Sequence, residues 1–191
     1  MILYHGTKAE YGEMIVKSGI LKNDVKRNYE RNDYADLGTT NGYVYLTDKL
    51  YVAASYGNKN TFLFVDEGQK RDDFFYIFKI DMPSEMVEAD LDEIKIVARK
   101  NTDREFSVEE SLNLCSAVRC STSISKNHYN ISYTICPNTL NHDVPYTDLE
   151  LVRQFVPLSQ TVIKPELSKK ELHKIKELTR IFNERFEWCK L

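Results

Sequence analysis

His5, Gly6 and Thr7 stand together near the start of the chain, and forty residues after His5 come Tyr45, Leu46, Thr47 and Asp48, with Tyr56 eleven positions beyond Tyr45. Each residue type suits one part of a single recognition task. Aromatic faces attract a flat cationic ring, so two tyrosines can sandwich one. Gly6 lets a ligand approach the backbone, and its N–H and C=O can both face a carboxamide. A histidine at the same corner can hydrogen-bond sugar hydroxyls. Breaking the bond between such a ring and a ribose develops positive charge on the sugar. A fixed carboxylate stabilises that charge, can hold a ribose hydroxyl and can help deprotonate an acceptor. Glu150 is the candidate, opening a strand-like run at 150–156 that Pro157 ends and an apolar segment at 160–163 follows. Asp148 is the alternative.

These residues need elements to position them. Residues 1–4 form an apolar run that reads as a strand breaking at His5 and Gly6. A helix is expected over 9–18, with Tyr11, Met14 and Ile15 on one face and Gly19 as its stop. Residues 42–46 read as a second strand, and Thr47 or Asp48 can cap a short helix that ends near Tyr56 and Gly57. Both tyrosines therefore flank one helix. Tyr34 and Tyr45 are also eleven apart, so it is this placement and not the spacing that selects the pair. Residues 61–65 and 74–82 read as strands, and Pro83 and Ser84 lead into an acidic stretch at 85–93. Ser107 with Glu110 is a capping box opening a helix that carries Leu112, Cys115 and Val118, and residues 128–136 alternate as a strand. Ser168 with Glu171 is a second capping box. It opens an amphipathic helix over about 168–190, with Leu172, Ile175, Leu178, Phe182, Phe186 and Cys189 at helical spacing.

The string Leu3, Tyr4, His5, Gly6, Thr7, together with Tyr45 and Tyr56, resembles the ADP-ribosyltransferase superfamily in its His-Tyr-Glu branch, which includes diphtheria-type toxins and the poly-ADP-ribose polymerases. The strings at 4–9 and 44–47 are also similar to those of rifamycin-modifying ADP-ribosyltransferases. The resemblance spans residues 1–56 and implies an α+β domain with a split, two-sheet β core and peripheral helices. It implies NAD as substrate, with Tyr45 and Tyr56 clamping the nicotinamide, Gly6 and Thr7 at its amide, His5 on a ribose and Glu150 as the catalytic acid. Polymerases commonly place a serine three residues before the second tyrosine. Ala53 stands there in this chain, leaving Thr7, Thr47 or Ser55 to substitute.

The remaining composition narrows the field. The chain has 191 residues, a net charge of −3, 29% charged and 12% aromatic residues, enough for one core and expected to form a single domain over 1–191. Mean hydropathy is −0.47, with no apolar run long enough to cross a membrane. No secretory pattern precedes the first strand, so a cytoplasmic protein is expected. Residues 20–41 have loop composition, with Lys22, Lys26, Arg27 and Arg31 diluted by acids. In the resembled family this loop covers NAD and shapes the acceptor site; an anionic acceptor and a solvated loop are both open readings. The C-terminal helix is expected to pack on the core, with docking of a neutralising antitoxin as the other reading. Cys115, Cys120, His128 and Cys136 are spaced too loosely for a zinc knuckle. No phosphate-cradling glycine loop appears.

Three functions follow. The first is transfer of ADP-ribose to a protein, a nucleic acid or a small molecule such as an antibiotic, with a microbial or phage toxin or defence effector as the setting. The second is an RNA 2′-phosphotransferase-like NAD enzyme, which needs further His and Arg residues that the sequence does not place. The third is a non-catalytic NAD- or ADP-ribose-binding module.

Overall fold

The computed structural model describes residues 1–25, 40–62, 72–164 and 166–191. In chain order, the strands are β1 (Ile2–Lys8), β2 (Ile20–Leu21), β3 (Val44–Thr47), β4 (Phe74–Asp81), β5 (Glu88–Ala89), β6 (Ala117–Cys120), β7 (Ile124–Ser125), β8 (Asn130–Pro137) and β9 (Cys189–Lys190). The α-helices are α1 (Ala9–Ser18), α2 (Leu50–Asn60), α3 (Leu91–Ile96), α4 (Val108–Cys115), α5 (Tyr146–Phe155) and α6 (Lys169–Arg185). Seven strands join in the order β5-β6-β3-β1-β4-β8-β9, and β2 and β7 form a separate ribbon. Every pairing is antiparallel. The class is thus α+β, with the β structure divided unequally between two sheets.

Strand alternation builds two apolar layers, because successive side chains leave opposite faces. On one face Phe75 and Ile77 meet Ala53, Val152, Phe155 and Phe182 from α2, α5 and α6. On the other, Leu3, Phe78, Ile80 and Val118 pack with Ile15 of α1. Helix α2 buries residues all round its circumference, as a helix sandwiched between layers must. Tyr56, 37% exposed, lies on its accessible flank.

Local signals act as read for several elements. Gly19 takes φ 72° and closes α1 in the left-handed conformation, and Ser107 and Ser168 both form complete capping boxes. Several expectations are corrected, among them Val118, which lies in β6 and not in α4, because α4 ends at Cys115 with Ser116 in the left-handed conformation. His5, Gly6 and Thr7 lie inside β1 and do not end it, because β4 pairs with β1 as far as Lys8. Residues 150–156 are not a strand. They belong to α5 and to the 3-10 helix Val156–Thr161, with Leu149, Val152 and Phe155 at helical spacing against the core and Pro157 tolerated in a first turn. Cys189 leaves the C-terminal helix and lies in β9 on the sheet edge. Thr61 and Phe62 sit in the turn after α2, whereas 63–65 fall outside the described residues, as do Lys26, Arg27, Tyr29, Arg31 and Tyr34. No described helix is long and apolar enough to cross a membrane.

Candidate functional site

Strands β1 and β3 register at one pair, Tyr4 with Thr47. Beyond it the Tyr45 carbonyl takes its hydrogen bond from a side chain, His5 Nδ1 at 2.9 Å. A carbonyl can only accept, so Nδ1 carries a proton, and in the neutral ring Nε2 is the acceptor. Gly6 lies under α2. A Cβ there would sit 1.8 Å from the Ala53 carbonyl oxygen and 2.9 Å from the Gly57 nitrogen. The close approach that glycine permits is therefore used by a helix, which settles directly on β1 and carries Tyr56 with it.

Of the three hydroxyls expected to replace a serine at position 53, two are engaged and one is buried. Ala53 itself is 1% exposed. Thr7 is buried in β1, Thr47 Oγ1 accepts from the Lys49 amide at 3.1 Å, and Ser55 Oγ accepts from Ser159 Oγ at 3.0 Å.

Helix α3 brings acids to both tyrosines. The Tyr45 hydroxyl donates to Asp92 and the Tyr56 hydroxyl donates to Glu93. Neighbouring residues of one helix thus hold two phenols that arrive from β3 and from α2. Thr40 joins the cluster, its Oγ1 donating to Asp92 Oδ1 at 2.9 Å and its amide to Oδ2 at 2.8 Å. Arg119 of β6, opposite Tyr45 in the sheet, donates through Nε to Glu88 at 2.8 Å. Its guanidinium lies 4.0 Å over the Tyr43 ring, and its Nη1 stands 3.9 Å from Asp92. Arg119 is 8% exposed, so its charge is countered within the protein by Glu88 and Asp92. Burial raises the Glu93 carboxyl above its ordinary range, opposed by the Tyr56 hydrogen bond and by Lys59.

Asp90 anchors α3. Its Oδ1 accepts from the Glu93 amide at 3.1 Å, its own amide donates to Ser111 Oγ at 3.0 Å, and Oδ2 is buried without a partner. Burial pushes this carboxyl up to about 7 from an ordinary 3.8, with help from Glu93 and Asp92 and against the pull of Arg119. A folded-state value above the unfolded one means that the folded protein holds the extra proton. The contribution of Asp90 to stability is therefore fully present below pH 3.8 and is lost as pH rises through about 7. The shift corresponds to a loss on the order of 4 kcal/mol across that window. Asp90→Asn keeps an acceptor for the cap and removes the charge. It is expected to exceed wild type in urea midpoint at pH 8, with the gap closing towards pH 4.5. Parallel pH dependences of the two proteins would sink this assignment.

Glu150, expected on a strand beside the tyrosines, is instead in the middle of α5, where its Oε1 accepts from Gln154 at 2.9 Å. Asp148 pairs with Arg185 and ties the start of α5 to the end of α6. Neither carboxylate has a hydrogen bond to Tyr45 or Tyr56 among the described residues. The acids that do, Asp92 and Glu93, were within the stretch read only as acidic. Their one legible signal was Asp90 three places before Glu93 and ahead of apolar Leu91 and Ile94, a helix-start pattern. Cys115, Cys120 and Cys136 are buried, Cys189 is exposed and all are free thiols. Burial pushes Cys115 up to about 12. Among the described residues no cluster of three or more His, Cys, Asp or Glu is placed to hold a metal.

Comparison with family models, curated proteins and solved structures found no match to this chain.

Proposed function

We propose that this protein is an NAD-dependent ADP-ribosyltransferase, and that its seven- and two-stranded sheets are a form of the split core of that fold. One observation carries the reading: Tyr45 and Tyr56, from different elements, are held by adjacent carboxylates of α3, and the Tyr45 carbonyl is held by His5 from within β1, next to Gly6. Two aromatic faces suit the cationic nicotinamide ring of NAD. The Gly6 peptide reads the carboxamide in this scheme, from its β3 side, where the described pairing with β3 is at Tyr4 and Thr47. His5 serves a ribose hydroxyl. Glu93 takes the part first assigned to Glu150: its carboxylate faces the positive charge that develops on the ribose as the bond to nicotinamide breaks. The acceptor nucleophile forms the new bond at the same carbon, its proton passes to a base, and nicotinamide leaves neutral. Asp92 and Arg119 act through Tyr45 by fixing its hydroxyl.

The test is purified protein with adenylate-labelled NAD and a cell lysate divided into protein, nucleic acid and small-molecule fractions. Label entering one fraction, with an equal amount of nicotinamide released, is the expected outcome. No nicotinamide released with any fraction would overturn the reading.

A further inference from the structure

Past α3 the chain becomes basic. Lys95, Arg99, Lys100 and Arg104 fall within ten residues that contain one acid, Asp103, in a protein of net charge −3. Lys95, Arg99 and Lys100 are exposed, and none of the three has an ion-pair partner among the described residues. Arg99 takes φ 52°, and the Lys100 amide donates to the Ile94 carbonyl at 3.3 Å. Arg99 is thus in the left-handed conformation, where glycine is favoured, two residues past the Val97 cap of α3. A cation stands there at a cost in backbone strain.

Two of these cations, Lys100 and Arg104, line an open pocket of about 550 Å³ together with Asn101, Phe106, Glu110, Asn113 and Leu114, and Arg99 precedes Lys100 in the chain. The Arg104 guanidinium carbon lies 3.8 Å over the Phe106 ring, and the guanidinium is paired with Glu110 at 2.9 Å. The Asn113 side chain has no hydrogen bond among the described residues and offers a donor and an acceptor together. Phe106 and Leu114 pack with Ile94, the residue after Glu93. The cavity and the tyrosines thus share α3, a helix of six residues, about 9 Å long.

We infer that this cavity is the acceptor-binding site and that it takes a segment of single-stranded nucleic acid. A base stacks on the Arg104–Phe106 pair, Asn113 meets its edge, and Lys100 and Arg99 hold phosphates. The inference rests on the transferase reading above for the word acceptor, but binding itself does not depend on NAD.

Fluorescence anisotropy of labelled single-stranded DNA and RNA oligonucleotides, on the full chain at low salt and without NAD, is the test. Wild type is expected to bind with strong salt dependence. Arg99→Gly relieves the strained position, so its melting temperature stays level or rises, while affinity falls about three-fold or more for the lost phosphate contact. Lys100→Glu weakens binding further. Lys174→Glu, with the same charge change on exposed α6, leaves it unchanged. No oligonucleotide binding by wild type, or equal binding by all variants, or transfer of label to protein alone, would overturn the inference. Nicotinamide release measured in parallel separates the two readings. Release without oligonucleotide binding removes this site and keeps the enzyme. Binding without release removes the enzyme and keeps the site.

Discussion

Glu93→Gln is expected to lower nicotinamide release by about 100-fold or more, while Glu150→Gln stays within about two-fold of wild type. The glutamine keeps the shape and an acceptor for the Tyr56 hydroxyl, so what the variant loses is charge. A preorganised charge facing a developing opposite charge in a partly dry site contributes several kcal/mol, whereas the α5 carboxylate already spends its hydrogen bond on Gln154 at the next turn. The pH profile gives an independent readout. Only the ionised carboxylate stabilises positive charge, and burial raises the Glu93 carboxyl. The acid limb of the rate should therefore lie above the ordinary carboxylate range and flatten once Glu93 is ionised. A limb at ordinary carboxylate values, or an inactive Glu150→Gln beside an active Glu93→Gln, would return the role to Glu150.

Gly6→Ala should be the most destabilising of the single-methyl changes at the site. The added Cβ meets a backbone carbonyl at 1.8 Å, and a backbone atom cannot swing aside as a flexible side chain can. Helix α2 must lift off β1, which disturbs the buried contacts of Ala53 and Gly57 and shifts Tyr56 away from Glu93. Overpacking of this kind costs about 3 kcal/mol or more, or roughly 6–12 °C in melting temperature for a chain of this size. Affinity for NAD, read by calorimetry at a temperature where the variant is folded, should fall as well. A variant that melts within about 2 °C of wild type would mean that α2 does not rest on β1 as described.

The two experiments separate the roles of neighbouring parts. Gly6 sets where α2 lies and hence where Tyr56 stands, so its loss is a loss of stability first. Glutamine at position 93 keeps an acceptor for the Tyr56 hydroxyl and removes a charge that burial disfavours, so Glu93→Gln should melt at or above wild type while losing turnover. Asp92 stands between, because it holds Tyr45 and Thr40 and lies 3.9 Å from the Arg119 guanidinium.

Much of the fold was legible along the chain because the signals are local. Gly19 closes α1 through its own positive φ, and the Ser107 and Ser168 boxes close through residues three places away. The apolar runs of β1 and β4 mark strands whatever they pair with. Tyr45 could be placed before the same short helix as Tyr56 for the same reason, although the helix runs on to Asn60 and so contains Tyr56. What the chain alone did not show depends on partners far away in sequence. Leu151, Val152, Phe155 and Val156 suit a strand by type, but their spacing also fits one face of a helix, and packing against α6 decides for the helix. The acid at the tyrosines is a contact between residues 37 apart for Tyr56 and Glu93, and 47 apart for Tyr45 and Asp92. Beyond the helix start that Asp90 marks, nothing near Glu93 in sequence distinguishes it from the other acids of its stretch. Its position is set by Asp90, buried against Ser111 at the start of α3, and that burial exists only once α4 has packed beside it.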